Sequence, residues 1–150
     1  MCMSRTEVRC RELYSIAVKL RDKFCQVCGT PYEIECHHIV PRSSGNSAIQ
    51  HDMDYATTLC DEHHRGTPDA PHVSPSQFER RMLPLLLQTM DPARAAKIQA
   101  ELERPSDLPD ERPDFKTIRM KLTAVIQELE NDYYYDADIN QMDVRSRTYG

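Results

Sequence analysis

The sequence predicts an α+β fold in which a small strand–loop–strand–helix unit carries a structural zinc. One helix precedes this unit, and a helical extension follows it. Two observations carry the prediction: two Cys/His pairs at ligand spacing frame two short β-like segments, and apolar residues recur at helical spacing on either side. At 150 residues the chain has the size of one ordinary domain, so we expect a single compact unit with appendages.

Composition narrows the class of protein and its compartment. The formal net charge of −5 argues against a polycation that coats nucleic acid through net charge alone. There is no apolar run of membrane-spanning length and no signal-peptide pattern, so we expect a cytoplasmic protein. In a reducing compartment, six cysteines are metal ligands or buried thiols rather than a disulfide framework. Cys10 and Cys36 are candidate core thiols.

A first amphipathic helix is predicted over 7–24. Its apolar positions are Leu13, Ile16, Ala17, Leu20 and Phe24. The opposite side carries Arg9, Arg11 and Lys19, which are candidate phosphate contacts. Simple solvation of a charged helix face is the alternative.

The middle of the chain reads as strand, loop, strand and helix. The first strand is predicted over 33–40 and ends at Pro41, and the polar segment 42–47 forms a loop. Residues 55–59 are predicted to pair back as the second strand, and 59–64 to open a helix. Together with the first helix, this core occupies 1–72.

Helix signals dominate the extension over 73–132. Ser74 and Asp91 each precede a proline and are predicted N-caps, with Pro84 dividing the first of these helices and the second reaching about residue 103. A last apolar stripe comprises Phe115, Ile118, Leu122, Val125, Ile126 and Leu129. The acidic, tyrosine-rich segment 133–150 lacks a clear period and is predicted to be a flexible tail.

The strongest site signal is Cys25-x-x-Cys28 followed by Cys60-x-x-His63. Thiolate and imidazole are the ligands that tetrahedral zinc prefers, and two such pairs close four-fold coordination. We therefore predict a structural Zn²⁺.

A second signal is the pair His37 and His38 on the first strand, with His64 directly after the zinc ligand His63. Neighbouring strand residues point to opposite faces, so His37 and His38 should have different roles. Likewise, His63 and His64 lie about 100° apart on a helix and can face two different sites. His72 is predicted to be a surface residue rather than a ligand.

Over residues 22–64 the sequence resembles the HNH endonuclease family, in the subgroup that carries a zinc. The resemblance rests on His37-His38-Ile39-Val40-Pro41 and on Leu59-Cys60-Asp61-Glu62-His63-His64. It implies a ββα-metal (His-Me) finger that hydrolyses DNA by a one-metal mechanism and leaves 3′-hydroxyl and 5′-phosphate ends. His37 and His64 would ligate a catalytic Mg²⁺, Mn²⁺ or other transition ion, and His38 would be the general base.

The chain departs from the family's pattern at His63, which replaces the second cysteine, and at Tyr55. Tyr55 stands where the family has an Asn that steadies the loop and orients the base, and Asp52, Asp54 or Asn46 are candidates for that role. In the same region, Arg42 and His51 flank the loop and are candidate phosphate contacts.

Two alternatives to an active nuclease remain open at this point. One is a catalytically inactive, zinc-stabilised adaptor that binds DNA. The other is a protein-assembly adaptor that binds a protein partner through its C-terminal helix or acidic tail.

Overall fold

The computed structural model describes residues 2–41, 46–105 and 107–148, with side chains described to residue 132. The elements are α1 (Arg5–Asp22), β1 (Ile34–His38), β2 (Ala56–Cys60), a π-helical turn (Glu62–Gly66), α2 (Pro75–Gln77), a π-helical segment (Phe78–Met82), α3 (Leu83–Thr89), α4 (Pro92–Leu102) and α5 (Phe115–Thr148). Helices thus combine with a small antiparallel sheet, and the predicted α+β class is confirmed.

The sheet is a β1–β2 pair whose register aligns His37 with Thr57 and Glu35 with Leu59. Both strands lie close to the predicted ranges, although each differs from them by one or more residues at its ends. Because side chains alternate along a strand, Glu35 and His37 share one face, whereas Cys36 and His38 share the other. The two faces are covered by different helices.

α1 covers the face of the sheet that carries Cys36. Its buried residues are Cys10, Leu13, Tyr14, Ala17 and Val18. These positions follow the i, i+3, i+4, i+7 pattern of one stripe. The predicted stripe was partly wrong, because Ile16 is 40% exposed and Phe24 is 46% exposed. The buried stripe also includes the polar-edged Tyr14, which a purely aliphatic pattern overlooks. Of the two candidate core thiols, Cys10 is fully buried and Cys36 is partly buried.

The segment from α2 to α4 covers the opposite face. The predicted caps are present: the Ser74 hydroxyl accepts a hydrogen bond from Gln77 N at 3.4 Å, and the Asp91 carboxylate accepts one from Arg94 N at 3.2 Å. Pro84, which the sequence predicts to kink or divide this helix, lies in the first turn of α3, directly after the π-helical segment. The backbone nevertheless stays helical over residues 75–89. The core here comprises Leu59 and Ile39 from the hairpin region with Phe78, Met82, Leu83, Leu86 and Ile98.

α5 packs on α1 through Leu122, with Ile118 and Ile126 beside it. α1 therefore lies between the sheet and α5. The backbone of α5 is helical as far as Thr148, into the segment where the sequence predicted a tail without regular period. Flexibility of 133–150 stays a prediction, since those side chains lie outside the described residues. None of the described helices is long and apolar enough to cross a membrane.

Candidate metal centres

Cys25, Cys28, Cys60 and His63, the four residues predicted to bind zinc, lie together in the structure. Their ligand atoms all lie within 4.8 Å of one another. The Cys28 and Cys60 sulfurs are 3.8 Å apart, close to the roughly 3.8 Å expected for two thiolates each about 2.3 Å from a tetrahedral zinc. His63 Nδ1 lies 3.2 Å from the Cys60 sulfur and 3.8 Å from that of Cys25. The cluster could hold a metal such as zinc.

A tight turn between α1 and β1 presents the first two ligands. Gly29 N donates to Cys25 O at 2.8 Å, and Cys25 N donates to Thr30 O at 2.8 Å. Gly29 has φ +76°, which glycine adopts without steric penalty. Gln26 N donates to Thr58 O at 3.0 Å and so holds the turn against β2, the strand that ends at Cys60.

Two of these thiols, Cys25 and Cys60, differ in their pKa values, and a bound cation would favour the thiolate form of both. Burial raises the pKa of Cys25, but hydrogen bonds from the backbone N–H groups of Cys28, Cys60 and Val27 outweigh it and bring that pKa to about 7. By contrast, burial and the neighbouring Cys25 and Cys28 thiols raise the pKa of Cys60 to about 11. One thiol can therefore ionise near neutral pH, but a cation is needed for its neighbour to follow.

A second cluster comprises His37, His64 and His72. Their ligand atoms also lie within 4.8 Å of one another. Ring centroids are 5.1 Å apart for His37 and His64, and 4.4 Å apart for His64 and His72. The sequence predicts that His63 and His64 face two different sites. In the structure His63 lies with the thiols and His64 lies with His37.

His64 is the most constrained member of this histidine cluster. It is buried, and its Nδ1 donates a hydrogen bond to the Glu35 carboxylate at 2.6 Å. Its Nε2 is also buried and has no hydrogen-bond partner among the described residues. A ring nitrogen that is buried without a partner is costly unless it binds something, and a carboxylate on the other nitrogen is typical of metal-binding histidine.

Burial and the neighbouring histidines favour the neutral form of the two buried rings, His37 and His64. Burial, together with the neighbouring His64, His72 and His38, lowers the pKa of His37 to about 3. Burial also lowers the pKa of His64, although the hydrogen bond to Glu35 opposes that effect. Neutral rings retain the lone pairs that a metal ion requires.

His72 corrects the sequence prediction. It is exposed, as predicted, but it belongs to the histidine cluster rather than to an unrelated surface. The turn that follows the π-helical turn brings it there, with His72 N donating to His64 O at 3.3 Å. Eight residues separate His64 and His72, a spacing with no local periodic signal. Glu35 was also missed, although its position two residues before His37 places it on the same strand face.

His38 lies on the other face of β1. Its Nε2 is 2.9 Å from the backbone oxygen of Gln50, and its ring centroid is 5.0 Å from that of Tyr14. A carbonyl oxygen only accepts hydrogen bonds, so Nε2 carries the hydrogen in the neutral ring. In that tautomer Nδ1 carries the ring's lone pair.

One cleft of about 490 Å³ joins these groups. Its lining includes His37, His38, His64 and His72, together with Arg65 and Phe78. Arg65 Nε donates to Glu35 at 3.3 Å, and Phe78 packs edge-on against the His37 ring at 5.4 Å. The twist of the hairpin end thus allows residues from both faces of β1 to line a single cavity.

The three residues predicted as substitutes for the Asn of the HNH pattern, Asn46, Asp52 and Asp54, make other contacts in the structure. Asn46 is buried and donates from Nδ2 to the Glu101 carboxylate, 3.2 Å from each oxygen. Asp54 pairs with Lys97 at 2.8 Å. Asp52 accepts from Asp54 N at 3.0 Å and so caps a 3-10 turn. These side chains stabilise the loop that leads into β2.

Tyr55 itself is partly buried. It packs beside the core that contains Leu59, and burial raises the pKa of its phenol. Its backbone oxygen accepts a hydrogen bond from Ile39 N at 2.9 Å, which extends the hairpin pairing by one residue. The aromatic side chain therefore fills space beside the core at the position where the family has an amide.

The predicted phosphate contacts are scattered. Arg9 pairs with Glu12 at 3.1 Å, and Arg9 and Arg11 point about 160° apart around α1. Lys19 lies between them, about 80° from each, on a helix that covers the sheet face opposite Glu35. His51 is buried between Tyr14 and Phe115, so its position does not suit phosphate contact. Arg42 lies outside the described residues.

Comparison with known proteins gives no further support for any family. No family model matches the chain, and neither a curated protein nor a solved structure shows significant similarity to it.

Proposed function

We propose that this protein is a metal-dependent endonuclease that hydrolyses DNA phosphodiester bonds, with the zinc-stabilised hairpin acting as an HNH-type ββα-metal finger. The supporting observation is that His38 and the histidine cluster line the same cleft. Phosphodiester hydrolysis needs a base for water and positive charge beside the phosphate, and the cleft offers residues for both.

Each residue has a stated task in this proposal. His38 accepts the proton of water at Nδ1, while the Gln50 carbonyl holds its Nε2–H and fixes the ring. His37 and His64 would hold a divalent cation, which supplies positive charge to the phosphate. Glu35 fixes the orientation of His64 through Nδ1. Arg65 lies at the rim of the cleft, where its guanidinium can meet a phosphate oxygen.

A plasmid-nicking assay on the full-length, zinc-loaded chain tests the proposal. Supercoiled DNA is incubated with Mg²⁺, Mn²⁺, Co²⁺, Ni²⁺ or Zn²⁺, and the parent is compared with His38→Ala and His37→Ala. His38→Ala should slow nicking by about 10²–10⁴-fold at every metal concentration, since it removes the base. His37→Ala should also be slow, but added metal should partly restore it, since it removes a ligand.

Zinc content and thermal unfolding of the same variants are the controls, because neither change touches the cysteine-bearing cluster. Full activity in folded His38→Ala would overturn the role assigned to this residue. A parent that nicks neither double-stranded nor single-stranded DNA with any of the ions would overturn the proposed activity.

Tyr55 favours a second candidate function, a zinc-stabilised adaptor that retains the finger but no longer cleaves DNA. Its phenol fills the space beside the core where the family has an orienting amide. An inactive parent that still retards DNA on a gel would support a DNA adaptor, and one that does not would favour a protein partner. Nicking that appears in Tyr55→Asn alone would identify a dormant site.

A further inference from the structure

We propose that His72 is a third metal ligand in the cleft, and that His37, His64 and His72 form an all-imidazole site selective for divalent transition ions over Mg²⁺. The inference rests on the proposed function in that it names the metal class for the same site. It adds a ligand that the sequence motif does not contain, and it excludes the ion that phosphodiester hydrolysis most often uses.

The position of His72 is set by a well-anchored turn. Ala70 and Pro71 are buried beside it, and Ala70 N donates to Thr67 O at 3.0 Å. His72 N in turn donates to His64 O at 3.3 Å. The backbone at His72 is therefore held against the π-helical turn, while its exposed ring keeps freedom to adjust.

The spacing of the three rings fits a site that closes around an ion. Nitrogens about 2.1 Å from a tetrahedral ion lie roughly 3.4 Å apart, and the ligand nitrogens of the three histidines lie within 4.8 Å of one another. Small ring adjustments would complete the coordination. His64 is buried and held by Glu35, and His37 packs against Phe78, so the exposed His72 is the ring best placed to move.

Donor chemistry selects the metal. Imidazole nitrogen suits Zn²⁺, Co²⁺ and Ni²⁺, whereas Mg²⁺ demands oxygen ligands and retains most of its water. The carboxylate bonded to the cluster, Glu35, accepts hydrogen bonds from His64 Nδ1 and from Arg65, so it orients a ligand rather than acting as one. Glu79 also lines the cleft, but it does not group with the three histidines as a metal ligand. Three neutral imidazoles also leave the ion its full positive charge and leave positions open for water and phosphate.

Clustered histidines could instead be simple aromatic packing, since the three rings meet edge-on. Packing alone, however, gives no hydrogen-bond partner to His64 Nε2, which is buried and has none among the described residues. A bound ion satisfies this nitrogen, and this observation decides between the two accounts.

Cobalt binding to the full-length, zinc-loaded protein tests the inference without any activity measurement. Co²⁺ is titrated into the parent, His72→Ala, His72→Gln and the neighbouring control Val73→Ala, with visible absorption and calorimetry as readouts. The parent and Val73→Ala should bind one added Co²⁺ per chain, with d–d bands but no sulfur-to-metal charge-transfer band. Both His72 variants should bind it at least about tenfold more weakly, while zinc content and thermal unfolding stay at the parent's level.

Three further arms complete the experiment. Millimolar Mg²⁺ should not displace the cobalt, and Glu35→Gln should weaken cobalt binding by about 10–100-fold. Unchanged cobalt affinity in both His72 variants, or displacement by Mg²⁺, would overturn the inference. Cobalt bound as expected by a protein that cuts no DNA would support the three-histidine site and remove the proposed nuclease function. Mg²⁺-dependent nicking that survives in His72→Ala would support the nuclease function and overturn the three-histidine site.

Discussion

The π-helical turn contributes His63 to the cysteine-bearing cluster and His64 to the histidine cluster. The two clusters are nevertheless assembled in different ways. The first uses three thiols and His63, with two of its cysteines presented by a tight turn. The second uses three imidazoles held by packing and by a carboxylate, and it opens into a cleft. Four ligands can complete a tetrahedral zinc site, whereas three would leave coordination positions open.

This difference has an electrostatic origin. Burial and the neighbouring Cys25 and Cys28 thiols raise the pKa of Cys60. Because three thiolates in one cluster would repel each other, we expect a bound cation to stabilise their arrangement. Neutral imidazoles repel each other only weakly, and the pKa of His37 is lowered to about 3 by burial. The cysteine-bearing cluster should therefore need its ion to exist, and the histidine cluster should exist before its ion arrives.

The largest expected effect is that of removing zinc. Structural zinc contributes about 10–16 kcal/mol of apparent binding free energy in small modules, which exceeds the whole stability of many domains. A strong chelator should therefore unfold the hairpin and the π-helical turn, as seen by loss of circular dichroism and amide protection. Readdition of Zn²⁺ should restore both signals. If the chelated, zinc-free protein keeps its native spectra, the cysteine-bearing cluster does not need its ion, and this difference between the two clusters is contradicted.

The next largest effect concerns the packing that assembles the histidine cluster. Phe78 is buried and contacts the His37 ring, so Phe78→Ala should lower the free energy of unfolding by about 3–5 kcal/mol and also weaken cobalt binding in the cleft. Leu122→Ala, in the core between α1 and α5, is the matched control. It should destabilise by about 2–5 kcal/mol but leave cobalt affinity unchanged. Equal cobalt affinity in both folded variants would show that packing does not assemble the cluster.

A smaller effect is expected from the candidate phosphate contacts on α1. If Arg9, Arg11 and Lys19 contact phosphates, replacing all three by Ala should flatten the salt dependence of DNA binding without changing sequence preference. Arg9 and Arg11 point in nearly opposite directions, so one duplex can meet only two of the three. The slope of log affinity against log salt should thus change by at most about 1.8. A change near zero would return these residues to ordinary solvation, and a larger one would require a second contact surface.

The two clusters also differ in how far the sequence predicts them. Two ligands separated by two residues can be placed together by a single turn or helix start. Local pattern alone therefore predicts the four ligands Cys25, Cys28, Cys60 and His63. His72 could not, because its place beside His64 depends on an irregular turn that the buried Ala70 and Pro71 anchor. Glu35 lies between these cases, since strand alternation puts it beside His37 but does not reveal its partner.

The fold shows the same division between local and tertiary information. The caps at Ser74 and Asp91 follow from short-range backbone chemistry, and both were predicted. The buried side of α1 was only partly predicted, because the helix is covered by the sheet and by α5 together. Covering on two sides buries Tyr14 and Cys10, which an aliphatic stripe does not include.

The central claim is that two adjacent histidines on one turn serve two separate metal centres. Elemental analysis of His63→Ala and His64→Ala, purified in parallel with the parent and dialysed against a weak chelator, tests it most directly. The parent and His64→Ala should each retain one zinc per chain and unfold at similar temperatures. His63→Ala should lose that zinc and much of its stability. Equal zinc content and equal unfolding temperature in the two variants would contradict the claim.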